Sequence, residues 1–514
     1  MQKWLSDAVI YNIYPQSFFD SNNDGIGDLN GICSKLDYIK EMGFSGIWLN
    51  PIYESPFRDA GYDISDFYKV AKRYGTNEDF ALLAKEAHRR GIKVILDLVA
   101  GHTSIDCEWF RQSALPEKNV YTNRYIWTNS VWDDNDGKGC ISGFSDRDGC
   151  YMKNFFYCQP ALNYGFKNVE KDWQLPMDHP DCISTREELL NIMRFWSNLG
   201  ADGFRVDMAS SLVKNDPTGE GITELWNEIR SVFDKEYPDS ILISEWGFPK
   251  EAIKAGFDID FLLHFCCKAY TTLFRHEAGA NQSSEWVGHS YFRKAGKGNI
   301  NDFLEGYFEH YNATKGQGYI SLPTGNHDMP RISGGRDSNE LKTAYVFMMT
   351  MPGVPFVYYG DEIGMKNIEN LPSKEGGYNR TCARTPMQWA EGKNKGFSSS
   401  DEVYLPTDTD KDAPTVESQL KDPDSLLNHT KKLISLRKEH PALNADGEFE
   451  VLEAGYPFVY KRFNEKETVY IAVNPSDKEM TIVLPQINEV ILENNISVIG
   501  NKVTFGGVSY LMYK

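Results

Sequence analysis

Two acidic residues carry the first chemical signal in this chain: Asp207 closes the run GFRVDM and Glu245 closes the run ILISEWG. Each run is short and apolar and reads as a buried strand. A carboxylate at the carboxyl end of a parallel strand points out of the packed core into the mouth of an α/β fold, where chemistry is done. Two carboxylates at such an address can divide the cleavage of a glycosidic bond, one attacking the anomeric carbon while the other protonates the departing oxygen. Either acid alone reads equally well as a helix cap or an ion-pair partner. The elements that position them decide between these readings.

Strand and helix signals alternate through most of the chain. The strands are YNIYP, GIWLNP, KVILDLV, GFRVDM, ILISEW, FDIDFLL, YISLPTG and VPFVYYG. Between them lie helices such as the one near KLDYIKEMG, one that Thr76 and Asp79 would cap and that ends at Gly91, and the Thr185 to Leu199 stretch. Such alternation means a parallel sheet, and eight strands close a (β/α)8 TIM barrel of class α/β. From His102 to about Phe166 the alternation stops in a stretch rich in Trp, Asn, Asp and Gly, which reads as a small domain inserted after strand 3 and overhanging the barrel mouth. Past Pro441 short alternating strands such as FEVLEA, FVYKRF and TVYIAV indicate a terminal antiparallel β-sandwich. The expected division is therefore residues 1–102 and 167–441 for the barrel, 103–166 for the insert and 442–514 for the β-domain.

Composition narrows the function classes. The chain has 514 residues, 41% of them hydrophobic and 13% aromatic, which fits a globular enzyme whose flat apolar rings can stack on sugars. A formal net charge of −19 opposes binding to nucleic acid or to anionic membranes. Met1 leads within a few residues into AVIYNIYP, leaving no room for a secretion signal. The most apolar stretch, YVFMMTMPGVPFVYYG, is interrupted by Pro352, Gly353 and Pro355, so it is not a membrane span. The nine cysteines lack metal-like spacing, and Cys266 and Cys267 are adjacent; this fits reduced thiols and a cytoplasmic location. A disulfide among Cys107, Cys140, Cys150 and Cys158 stays open, and no pattern sets an oligomeric state.

The segment DSNNDGIGD alternates oxygen-bearing residues at Asp20, Asn22, Asp24 and Asp28, with Gly25 allowing the turn, as calcium loops do. Ile26 falls within the same alternation and completes the candidate metal set. Gly31 stands where an EF-hand would place its bidentate Glu, so the loop is of another kind. Calcium is the expected ion, with magnesium as the second candidate, and no organic cofactor is implied. The spacing does not match a dinucleotide fingerprint, and no Gly-Lys-Ser/Thr follows.

DLVAGHTS, GFRVD, ISEW and TGNHD occur in order at plausible strand ends, flanked by IYPQSFFDSNNDGIGDLNGI and RTPMQW. Through these motifs the chain resembles the α-amylase superfamily of glycoside hydrolases, close to its α-glucosidase and oligo-1,6-glucosidase branch, over essentially its whole length. The resemblance implies a retaining mechanism in which Asp207 is the nucleophile, Glu245 the general acid and then base, and Asp328 a third acid gripping ring hydroxyls. Arg205, two residues before Asp207, would keep the nucleophile ionised while Glu245 holds its proton, so the two acids should have pKa values pushed apart. By the same likeness His102 and His327 would donate to sugar hydroxyls, and Tyr62 would stack under the terminal glucose. Asp59 and Arg380 would close the non-reducing end, making the enzyme exo-acting. Arg384 would sit toward the leaving sugar, and Phe155 and Gln159 would wall the glucose site. In relatives the loop metal is structural and remote from chemistry.

Three departures bear on what the resemblance implies. Gly101 stands where the family usually has Asn, which puts an interdomain calcium in doubt. Ala161 replaces an Asp common in the oligo-1,6-glucosidase branch, and Met208 follows the nucleophile where Val is associated with α-1,6 preference. Linkage specificity stays open. The expected activity is release of glucose from the non-reducing end of short α-glucosides, small molecules being the only partners. The alternatives are a glucosyltransferase or isomerase acting on sucrose, maltose or trehalose, and a silent transporter subunit, which would need a membrane anchor and lost carboxylates.

Overall fold

The computed structural model describes residues 2–133, 139–263, 267–277 and 287–514, so Cys266 lies outside the described residues. The eight barrel strands are β1 (Ile10–Ile13), β2 (Gly46–Leu49), β3 (Lys93–Leu98), β4 (Gly203–Val206), β5 (Ile241–Ser244), β6 (Ile259–Phe261), β7 (Tyr319–Ser321) and β8 (Phe356–Tyr358). They pair in parallel in the order β7-β6-β5-β4-β3-β2-β1-β8. A single parallel bridge from Pro323 to Phe356 joins β7 to β8 and closes the ring. Strands buried on both faces must be apolar along their length, which is why these runs show little alternation. All eight sequence runs therefore stand where the barrel reading puts them.

A helix follows each strand: α1 (Leu36–Met42), α2 (Asn77–Arg89), α3 (Pro180–Leu199), α4 (Glu220–Glu236), α5 (Pro249–Lys254), α6 (Asn301–Thr314), α7 (Ser338–Thr350) and α8 (Leu426–Glu439). The start of α2 is a capping box: the Thr76 side chain accepts from the Asp79 backbone N–H, and the Asp79 carboxylate accepts from that of Thr76. Helix α3 begins five residues before the expected Thr185, because Pro180 fits a first turn that needs no N–H donor. It ends at Gly200, whose φ is +116°. A Cβ there would lie 2.7 Å from the Ala84 Cβ of α2, so this glycine sets how closely the two helices approach.

Among its described residues, the segment 103–166 carries little regular structure beyond a six-residue helix at Glu108–Ser113 and the short pair Cys140–Ile141 with Tyr151–Met152. Rings hold the segment together instead: Phe110 packs against Tyr125, Trp127 and Tyr151 with centroids 5.1, 5.7 and 5.0 Å away. The aromatic-rich composition of this stretch is thus its core. The bridge from His102 to Ala161 ties it to the end of β3. Cys107, Cys150 and Cys158 are buried free thiols.

The terminal strands are β9 (Glu448–Ala454), β10 (Phe458–Phe463), β11 (Thr468–Asn474), β12 (Met480–Val483), β13 (Val490–Ile499) and β14 (Lys502–Tyr513). They form one continuous antiparallel sheet, because β14 pairs with β11 near its end, with β12 near its start and with β13 along its length. The two layers expected of a sandwich are joined through that strand. Arg462, fully buried, fixes the sheet to the barrel by donating to the carbonyls of Thr350, Asn444 and Gly447. Among the described residues no helix is long and apolar enough to cross a membrane.

Candidate active site

At the carboxyl ends of the barrel strands lies a cavity of about 330 Å³ lined by Asp59, Tyr62, His102, Phe155, Asp207, Met208, Glu245, His327, Asp328 and Arg380. Asp207 follows β4 and Glu245 follows β5, so parallel pairing of those two strands brings the acids side by side. Arg205, on β4 and 1% exposed, bridges them: one terminal nitrogen lies 3.0 Å from Asp207 and the other 2.8 Å from Glu245. The first nitrogen also lies 2.7 Å from Asp97 on β3. The backbone N–H of Met208 donates to the second Glu245 oxygen at 3.0 Å.

This sharing corrects one expectation. The one guanidinium is divided among three buried carboxylates, so its lowering effect on Asp207 is outweighed by burial. Burial raises Asp97 to about 6, Asp207 to about 7 and Glu245 to about 8, with Arg205 opposing the rise in each case. A Glu245 raised by burial holds its proton, as a general acid requires.

Asp328, after β7, has the opposite environment. Burial works to raise it, yet His327 at 3.1 Å, Arg380 at 2.6 Å and Arg384 at 3.0 Å hold its carboxyl well below the usual range. Arg380 also reaches Asp59 at 3.6 Å, and Gln159 donates to Asp59 at 2.8 Å, which joins the insert to the pocket's closed end. Burial raises Asp59 to about 6 against these partners.

The two histidines are neutral, burial lowering His102 to about 3 and His327 to about 4. Each ring then has one N–H. That of His102 faces the Tyr62 carbonyl at 3.1 Å, and that of His327 faces Asp328, while its other nitrogen accepts from Asn50 at 3.0 Å. Both are engaged within the protein, so the expected donation to sugar hydroxyls requires these bonds to be shared or exchanged. Tyr62 stacks on His327 with centroids 5.1 Å apart, and its hydroxyl donates to Asp97.

Arg384 is also placed differently. It is 2% exposed, lies behind Asp328 and donates to the His327 carbonyl at 2.8 Å, because the carboxylate and carbonyl draw it inward rather than toward a leaving sugar. Phe155, 41% exposed, forms the mouth.

Sequence reasoning missed Asp97, Asn50, Asn154 and Lys214. Asp97 had a legible signal, a lone acid inside the otherwise apolar KVILDLV. Asn154 and Lys214 had none, since their contacts join the insert to the loop after β4: Lys214 Nζ donates to Asn154 Oδ1 at 2.9 Å.

The proposed metal loop is closed by its own amides. Asp20 accepts from the N–H groups of Asn22, Asn23 and Gly25 and from Ser398, Asp24 from that of Ile26, and Asp28 from those of Ser21 and Gly31. Among the described residues no three His, Cys, Asp or Glu side chains group as a metal site. The set therefore does not fit an ion held by carboxylates alone.

Comparison with known proteins agrees with this architecture. The family model "Alpha amylase, catalytic domain" matches residues 12–446. A probable oligo-1,6-glucosidase 2 of Bacillus subtilis is 33% identical over 93% of this chain and 91% of its own. The trehalose synthase/amylase TreS of Mycolicibacterium smegmatis is 32% identical over 90% of this chain and 80% of its own. The crystal structure of isomaltulose synthase from Erwinia rhapontici NX5 superposes with a TM-score of 0.83 at 27% identity, covering 100% of this chain and 99% of that one. With barrel, ordered motifs and converging acids in agreement, the chain belongs to the α-amylase family of glycoside hydrolases.

Proposed function

We propose that the protein is a retaining, exo-acting α-glucosidase that removes the terminal non-reducing glucosyl residue of short α-glucosides. One observation carries the reading: Arg205 spans Asp207 and Glu245 within a single cavity. Acids that follow paired positions on neighbouring strands and share one guanidinium are placed to work on the same bond, as direct displacement needs. Asp207 attacks the anomeric carbon and the bond to the leaving oxygen breaks, with the Glu245 proton passing to that oxygen. Water then attacks the glucosyl ester, returns a proton to Glu245 and frees Asp207. Asp328, with its charge fixed, grips ring hydroxyls. The Asp59–Arg380 pair blocks passage of a longer chain beyond the first sugar.

Glucosyl transfer or isomerisation is the second reading, favoured by the relative named trehalose synthase and the neighbour named isomaltulose synthase. Phe155 and Met208 at the mouth are suited to hold a leaving sugar and exclude water. Incubation with maltose, isomaltose, sucrose and trehalose separates the readings: free α-glucose as first product supports hydrolysis, new disaccharides support transfer, and β-glucose removes retention from both.

We also propose a structural calcium at the loop of Asp20, Asn22, Asp24, Ile26 and Asp28, magnesium being the second candidate. An all-oxygen set of side-chain amide, carboxylate and backbone donors suits a hard cation. Since the loop's amides already close it, the ion would add stability and no chemistry. A chelator should lower the melting temperature by a few degrees and added calcium restore it, with no change in kcat. An unchanged melting temperature removes the proposal.

A further inference from the structure

Gly101, just past β3, leaves a space that the insert fills. A Cβ there would meet Asn154 Nδ2 at 2.6 Å and Ser211 Oγ at 3.1 Å. The Asn154 amide of the insert thus occupies the place that a side chain at Gly101 would take. Asn154 uses both ends of its amide. Its Oδ1 accepts from Lys214, which makes no ion pair among the described residues and otherwise donates to the Ser211 carbonyl. Its Nδ2 donates to Ser211 Oγ at 3.2 Å and to His102 Nδ1 at 3.2 Å, and stands 3.9 Å from Met208 Sδ.

Those last two contacts reach two walls of the cavity. His102, being neutral with its N–H toward Tyr62, presents a bare Nδ1, and a donor there fixes tautomer and ring orientation together. Met208 directly follows Asp207 with φ +44° and ψ +45°, a left-handed conformation that bulky residues rarely adopt. A side chain leaving the backbone from such a point depends on its neighbours for direction.

We propose that Asn154 is a positioning residue of the glucosyl pocket, its amide filling the space beside Gly101 and holding the His102 and Met208 walls in register. The inference rests on the pocket reading above and deepens it. Walls touch the sugar alike before and during bond cleavage, so disturbing them raises KM and spares kcat. Replacing Asn154 by aspartate isolates the effect: a carboxylate keeps the acceptor for Lys214, so the fold is kept, but it has no N–H for His102.

The test uses the full chain. N154D should melt no lower than the parent, raise KM for its best α-glucoside about tenfold with kcat within about threefold, and weaken glucose binding by the same factor in calorimetry. N154G should do the same with a lower melting temperature, and G101N/N154G should bring KM back to within about threefold of the parent. Parental KM and glucose affinity in N154D, or a double variant no better than N154G, overturn the proposal. Should the parent turn over no α-glucoside yet bind glucose in an Asn154-dependent way, the activity reading falls and the placement of Asn154 stands. If it does neither, both fall.

Discussion

The two ends of the catalytic cavity are built from the same residue types in different proportions. Around Arg205 one cation serves three carboxylates, Asp97, Asp207 and Glu245, and burial raises all three. Around Asp328 two cations and a histidine face two carboxylates, Asp328 and Asp59, and Asp328 is held well down despite its burial. The first end is short of positive charge and can exchange protons near neutrality. The second has a cation for each acid and keeps Asp328 as a fixed anion. Proton transfer and substrate grip are thereby separated in one pocket by the ratio of cations to acids.

The largest break in this contrast comes from Asp207→Asn at the proton-exchanging end, which should lower kcat by about 10⁴-fold or more with little change in melting temperature. Residual turnover near the parental rate would remove Asp207 from the nucleophile role. Next, Arg205→Met leaves three buried acids without their cation and should cost roughly 3–5 kcal/mol of stability, read by denaturant unfolding. A loss under about 1 kcal/mol would mean that the acids are already neutral. At the gripping end Arg380→Ala should raise KM about 10- to 100-fold while kcat changes less, because Arg384 and His327 still hold Asp328 ionised.

The smallest effect sharpens the comparison through pH. Turnover needs Asp207 ionised and Glu245 protonated, so kcat/KM should climb as pH approaches about 7 and fall above about 8. Stability runs with opposite signs for the acids around Arg205 and for Asp328. Acids raised in the fold keep protons that the unfolded chain gives up near pH 4, so their contribution is lost as pH rises from about 4 toward 8. Asp328, being lowered, stabilises the fold above the ordinary carboxylate range and loses that effect as pH falls through it. A flat pH profile across 6 to 9 would contradict the assignment at the proton-exchanging end.

Much of this was legible in the residues. Apolar runs closed by Asp207 and Glu245 marked both the strands and the site, because a barrel places strand ends in one mouth, while Asp328 came only through the resemblance carried by TGNHD. The Thr76 and Asp79 cap was readable because it is local. What escaped reading depends on contacts between distant segments. Arg205 on the face of Asp207 was visible from a two-residue spacing, but its sharing with Asp97 and Glu245 follows from the register of β3, β4 and β5. The inward turn of Arg384 depends on where Asp328 sits, and Asn154 has meaning only beside Gly101 and Lys214.

Strand β14 sets an order of events for the terminal β-domain. Three strands made earlier, β11, β12 and β13, find their hydrogen-bonding partner in it, and its last residues, Leu511 to Tyr513, are fully buried. During synthesis these strands must therefore wait, with apolar edges unmatched, until residue 513 has left the ribosome. A chain stopped before Lys502 would lose three pairings at once, leaving a finished barrel with an unzipped, adhesive tail.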